Sequence, residues 1–148
     1  RICSDCQHID MDLSAPGLIE ALRQIDVFLP NETEAKALTG EADVEAALAV
    51  LGQYCGTVVI KRGAEGVIAT DNGKVYRLPA LAVDVFDTTG AGDSFNAGFV
   101  HGLLHEPDFV SALEVAVICG SLAVTGYGGR NLPYLSDIDR YRRRSAAG

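Results

Sequence analysis

Apolar positions along the chain change period several times, and each change marks an element. Leu18, Ile19, Leu22 and Ile25 recur at helical spacing behind Ser14 and Pro16, which predicts a helix capped by Ser14 with Pro16 in its first turn. Val27-Phe28-Leu29 then reads as a short buried strand stopped by Pro30, and Asn31 to Gly40 as a helix capped by Asn31 and closed by Gly40. Asp43 starts another helix that runs to about Tyr54. Thr57-Val58-Val59-Ile60-Lys61 is β-branched and continuous, as expected of a central strand covered on both faces. The turn Gly63-Ala64-Glu65-Gly66 leads to Val67–Thr70, and Asp71-Asn72-Gly73-Lys74 makes a hairpin turn into Val75–Leu78.

In the second half, Val83-Asp84-Val85 predicts a strand that feeds a glycine-rich turn and a helix running to about His105, with Pro107 beyond. Asp108 caps a long apolar helix ending near Gly126, and the loop Gly126-Tyr127-Gly128-Gly129 separates it from a last helix started by Ser136 with Asp139 in its first turn. Arg1 to Ser4 read as the end of a strand whose beginning is missing, and no repeat or linker interrupts the series. Strands alternating with helices predict one α/β domain over residues 1–148. Its sheet is doubly wound and mostly parallel, with an antiparallel hairpin edge, and ligands are expected at the carboxyl ends of the strands.

Composition changes this picture only by exclusion. The 148 residues are 48% hydrophobic and 22% charged, which suits a globular domain with a core, and the longest apolar run, Val115 to Val124, is too short to span a bilayer. A net charge of −8 argues against nucleic acid or an anionic membrane as partner, and Arg140, Arg142, Arg143 and Arg144 read as a solvated helix end. Four cysteines make no disulfide framework, and with no signal peptide in view the expected address is cytoplasmic, with reduced thiols. Cys3 and Cys6 form a C-x-x-C, but a zinc site needs two more ligands, and Cys55 and Cys119 stand alone in apolar stretches as small core residues. His101 and His105 have ligand spacing without an acidic partner and read as helix-end histidines.

The chemistry concentrates in Asp87-Thr88-Thr89-Gly90-Ala91-Gly92-Asp93. Gly90 and Gly92 let the backbone approach a ligand, and the amides of Gly90, Ala91 and Gly92 fall at the positive end of the following helix, so the turn is suited to hold an anion. Asp93 makes little sense as a phosphate binder but good sense as a base for a hydroxyl attacking a phosphoryl group. The plainer reading of a lone Gly-x-Gly is a tight strand-to-helix turn with Asp93 favouring the helix dipole.

All seven positions, with Ser94-Phe95-Asn96-Ala97-Gly98-Phe99-Val100 behind them, resemble the C-terminal signature of the ribokinase-like (PfkB) family of carbohydrate and nucleoside kinases, and the resemblance extends from about Asp5 to Asp139. It implies roles for further residues. Asn31-x-x-Glu34 resembles the N-x-x-E motif that helps place Mg²⁺ and phosphate, with Glu34 acting on the metal through water, although Asn at N-cap with Glu three residues on is also a capping-box variant. Lys61-Arg62-Gly63-Ala64-Glu65-Gly66 resembles the segment passing under the nucleotide, so Lys61, Gly63 and Gly66 are expected to contact ATP, with the adenine against the 120–125 end of the long helix. Val117 stands where some members carry an asparagine facing the base. Asp87 and Thr89 match positions that help bind a monovalent cation, here K⁺, with carbonyls near Ala123, Gly126 and Gly128; the alternative is that Asp87 bonds its own turn.

The sugar-binding residues and small β-sheet lid of the family have no match here, so the resemblance is to its nucleotide-binding and catalytic C-terminal half. The expected function is therefore ATP-dependent phosphorylation of a sugar or nucleoside hydroxyl, with Asp93 as base and Mg²⁺ neutralising charge. Two alternatives stand beside it: a nucleotide-binding module without catalysis, and a half-domain that works only with an N-terminal partner. A sheet cut through its middle also leaves an open edge, expected near Ile2–Ser4 or Val27–Leu29 and covered by a second copy or by the missing half.

Overall fold

A computed structural model describes residues 1–7, 11–127 and 131–145, with side chains described to Arg143. The chain falls into two compact units, Arg1–Arg77 and Leu78–Gly148, and each is described by itself.

The first unit carries a five-stranded sheet in the order β1 (Cys3–Asp5), β2 (Val27–Leu29), β3 (Thr57–Lys61), β4 (Val67–Asp71), β5 (Lys74–Leu78). β1, β2 and β3 run parallel, with Cys3 opposite Val27 and Val27 opposite Thr57, and β4 runs antiparallel to β3 from Thr57–Asp71 to Lys61–Val67. The continuous β-branched run is thus central, with Val58, Val59 and Ile60 fully buried, and the hairpin edge forms as its turn chemistry requires: Asn72 and Gly73 both take positive φ. β2 lies inside the sheet. Val27–Leu29 is therefore not an open edge, and the exposed edge among the two expected is β1 alone.

Helices α2 (Glu32–Thr39) and α3 (Val44–Leu51) pack beside the sheet, their Ala35, Leu38, Ala47 and Leu48 joining Phe28 and Ile60 in one apolar cluster. Both starts follow the sequence. Asp43 Oδ2 accepts from Ala46 N at 2.9 Å, and Gly40 closes α2 at φ 74°. The first helix, α1 (Leu18–Leu22), differs: it begins after Gly17 at φ 83° rather than at Ser14, because residues 12–17 are spent on turns, with Asp12 Oδ1 accepting from Ser14 N and Asp12 O from Ala15 N.

The second unit is built on α4 (Ala91–His105) and α5 (Phe109–Ala123), followed by α6 (Leu135–Ser145). α4 and α5 approach closely because small residues face each other. A Cβ on Gly98 would lie 2.8 Å from Cys119 Sγ, one on Gly102 2.6 Å from Ala112 Cα, and one on Gly120 3.2 Å from Phe95 Cβ. Phe99 is completely buried and meets Phe109 edge-on at 5.7 Å, so truncating it to Ala costs about 3–5 kcal/mol.

Three expectations fail in this unit. Val83–Val85 form no strand, and the segment is instead tied to α5 by Leu81 N donating to Ser121 Oγ and Phe86 N donating to Val124 O. A strand needs a neighbouring ladder, and here a helix end supplies the acceptor. The arginine-rich end is also not simply solvated: Arg142 donates to Glu106 Oε1 at 2.8 Å and Ser111 O at 3.1 Å, closing α6 onto the ends of α4 and α5. α6 starts at Leu135, one residue early, with Asp137 rather than Asp139 in its first turn, because Asp137 Oδ2 accepts from Tyr134 N.

Candidate functional site

In the first unit, the parallel strands end where several of the expected residues gather. Asp5 closes β1, Asn31 follows β2 and Lys61 closes β3, with Asn31 and Lys61 bridged as backbone partners and Lys61 N donating to Pro30 O at 3.0 Å. Asn31 and Glu34 form a complete capping box: Glu34 N donates to Asn31 Oδ1 at 2.9 Å, and Asn31 N donates to Glu34 Oε2 at 2.7 Å. Glu34 is only 8% exposed. Lys61 Nζ lies 2.7 Å from Asp5 Oδ1, and the lysine side chain is 13% exposed. Cys6, beside them, has its thiol pushed up to about 11 by burial and by the Glu34 and Asp5 charges, with Lys61 opposing.

The turn after β3 is a 3₁₀ turn over Gly63–Glu65, entered at Gly63 with φ 55° and left through Gly66 at φ 86°, both in the left-handed region that favours glycine. Arg62 holds it in place. Its Nε donates to Glu32 Oε2 at 2.9 Å, its Nη2 pairs with Glu65, and Glu32 also pairs with Lys36 at 2.6 Å. Lys36 first and Arg62 second hold the Glu32 carboxyl below the usual range.

The second unit holds the glycine turn. Asp87 Oδ1 accepts from Thr89 N at 2.9 Å, the self-bonded turn that stood as the alternative to cation binding. Gly90 is the N-cap of α4 at φ 79° and supplies no side-chain cap. Ser94 N to Gly90 O, 2.9 Å, is the first intrahelical bond, so the amides of Gly92 and Asp93 precede any acceptor the helix can offer. Ala91 N donates to Thr88 O at 3.2 Å, so of the expected anion-holding amides this one already has an acceptor within the turn. Asp93 is exposed on the first turn, and Ser94 beneath it is buried, its Oγ donating to Cys119 O at 3.0 Å and anchoring the turn to α5. Gly128 lies outside the described residues, so of the expected K⁺-binding carbonyls only Ala123 and Gly126 can be placed, at the end of α5 and just beyond it. Val117 is 6% exposed and belongs to the core of α5.

Residues 5–135 match the model of the pfkB family of carbohydrate kinases. The chain belongs to that family. It is 38% identical over 118 residues to a ribokinase of Haemophilus influenzae, covering 76% of this chain and 39% of that protein. Among solved structures it resembles an Arabidopsis thaliana ribokinase complexed with ribose and ATP, at a TM-score of 0.82 and 28% identity over 93% of this chain and 46% of that one. It also resembles a putative ribokinase II of E. coli in complex with ATP and Mg²⁺, at a TM-score of 0.78 and 29% identity, over 86% of this chain and 42% of that one. The α/β ribokinase-like fold is thereby established, and the chain spans between two fifths and half the length of these relatives.

Sequence reasoning missed three polar side chains that hold these segments in place. Asp5 pairs with Lys61, and its signal was an acid at the end of a parallel strand, where ligands gather. Ser94 was legible as a lone hydroxyl on an apolar helix face. Asn131, which donates to Leu122 O and Thr125 Oγ1, carried no local signal, since Leu122 lies in α5 and Thr125 just beyond it. Among the described residues no group of three His, Cys, Asp or Glu side chains could hold a metal, and none of the helices is long and apolar enough to cross a membrane.

Proposed function

We propose that the protein carries out ATP-dependent phosphorylation of a hydroxyl on a sugar or a related small molecule. The observation that carries this reading is the start of α4, where a glycine at φ 79° takes the N-cap, no side chain closes the turn, and a carboxylate stands exposed three residues on. A helix start without a side-chain cap is a ready anion site, and membership of a carbohydrate kinase family supports phosphoryl as the anion.

In this reading the amides of Gly90, Ala91 and Gly92 hold the transferring phosphoryl group, the Ala91 amide exchanging Thr88 O for a phosphoryl oxygen. Asp93 takes the proton of the acceptor hydroxyl. The hydroxyl oxygen forms the new bond to phosphorus as the bond to the ADP oxygen breaks, and ADP leaves with that electron pair. Lys61, Gly63 and Gly66 bind the nucleotide, the glycines because their backbone comes close without a Cβ. The donor set at Asn31 and Glu34, a buried carboxylate oxygen and an amide oxygen, suits a hard cation that keeps part of its water shell. Mg²⁺ bound there supplies charge neutralisation of the phosphates. Asp87 and Thr89, with carbonyls at the end of α5, are the positions for K⁺.

The test is an assay of ADP production with Mg·ATP, with and without K⁺, across a panel of ribose, fructose, sugar phosphates, sugar acids and nucleosides, using the full-length protein. Acceptor-dependent ADP release is the expected result. Nucleotide binding without turnover on any acceptor would instead support the non-catalytic module.

A further inference from the structure

We infer that Asn131 is a positioning residue for the glycine turn, acting through the end of α5; the inference rests on the kinase reading above for its functional consequence. Asn131 Nδ2 donates to Leu122 O at 3.0 Å and to Thr125 Oγ1 at 2.6 Å, and Thr125 Oγ1 in turn donates to Leu122 O at 2.8 Å. One amide therefore grips residues on both sides of Val124. The Val124 carbonyl is the acceptor for two successive amides of the other segment, Phe86 N at 2.8 Å and Asp87 N at 3.3 Å. Asp87 passes the constraint on: its Oδ1 accepts from Thr89 N, and Thr88 O accepts from Ala91 N in the first turn of α4. Every link from Asn131 to the start of α4 is a hydrogen bond of at most 3.3 Å or one or two residues of chain.

Gly126 shows how closely the clasp is fitted. A Cβ there would lie 2.6 Å from Asn131 Cβ and 3.1 Å from its Cγ, so Gly126 and Asn131 approach this closely only because position 126 has no side chain. The last carbonyls of a helix lack donors from a following turn; Leu122 O receives Thr125 N at 3.1 Å from its own turn, and further donors come from side chains. Asn131 supplies one such donor from beyond the loop, and the fixed end of α5 then sets where Asp87 to Gly90 sit.

The experiment compares Asn131→Ala, Asn131→Asp and Gly126→Ala in the full-length protein, by steady-state kinetics and by amide hydrogen exchange. Asn131→Asp keeps the size and removes the donor, so it separates donation from packing. All three should lower kcat by roughly 10- to 100-fold, the scale expected when a catalytic turn is misplaced by about 1 Å, while KM for ATP moves less than about 3-fold. Exchange at the Phe86 and Asp87 amides should quicken by about 10-fold or more while the α4 interior stays protected. Unchanged exchange at Phe86 and Asp87 overturns the clasp, and quickened exchange with wild-type kcat overturns its positioning role. A wild-type protein without turnover sinks the kinase reading alone, and the exchange measurement still decides whether the clasp holds the turn.

Discussion

The two helix starts at Asn31 and Gly90 solve one problem in opposite ways. Each helix begins with amides that have no partner inside the helix. At α2 the chain satisfies them itself, since Asn31 and Glu34 exchange two bonds and the box is closed, with Glu34 buried and Asn31 exposed. At α4 the N-cap is a glycine with no side chain to give, and the turn is shaped by backbone and by Asp87 instead. A closed start contributes about 1 kcal/mol of helix stability, whereas a start without a cap forgoes that and keeps donors for an anion from outside. In the proposed reading, stability and ligand affinity are traded at the level of a single residue.

That contrast is broken most severely at Asp93. Asp93→Asn should leave nucleotide binding intact and lower kcat by roughly 10²- to 10⁴-fold, and near-normal turnover would remove Asp93 from the role of base. The next variant compares two glycines with nearly the same backbone. Gly40, at φ 74° with open space where a Cβ would stand, and Gly90, at φ 79°, should each lose about 1–2 kcal/mol on substitution by Ala. Only Gly90→Ala should also lose ATP binding, as read by calorimetric titration beside the melting curves; equal binding by both variants would contradict an anion site at α4.

The closed start is probed at its two ends. Glu34→Gln keeps a capping-box side chain but removes the charge, so melting should hardly move while the Mg²⁺ concentration for half-maximal activity rises. Asn31→Ala removes the box and should cost about 1 kcal/mol. If Glu34→Gln leaves the Mg²⁺ titration unaltered, Glu34 serves the helix alone. The smallest effect is at Glu32, whose carboxyl is held low by Lys36 and Arg62. A carboxylate with a lowered folded pKa stabilises above its unfolded value of about 4.3 and loses that contribution as pH falls through the folded value. Melting followed from pH 6 to pH 3 should therefore show a steeper acid loss in the wild type than in Glu32→Gln, and parallel curves would show that the pair contributes nothing.

Cysteine chemistry draws the same distinction between inside and outside. Cys119 is buried against Gly98, with its thiol pushed up to about 11 by desolvation, while Cys3 is exposed on the edge strand. Both fit a chain whose thiols are free, with Cys55 and Cys119 serving as small core residues.

What the sequence determined by itself was set by short-range physics. The continuous Thr57–Lys61 run, the Asn72-Gly73 turn, the Asp43 and Asp108 caps and the glycine turn before α4 are all legible because each depends on residues within about four positions. The Asn31–Glu34 spacing was legible too, though a capping box and a metal-placing motif are written with the same letters. What only tertiary structure decided depended on partners far along the chain. Val83–Val85 has the composition of a strand, yet Phe86 finds its acceptor on Val124; Arg142 looks solvated until Glu106 lies beside it, 36 residues away. Lys61 meets Asp5 across two strands, a separation of 56 residues. A hydrogen-bond donor is indifferent to where in the sequence its acceptor lies, so local pattern can name the donor but only packing selects the acceptor.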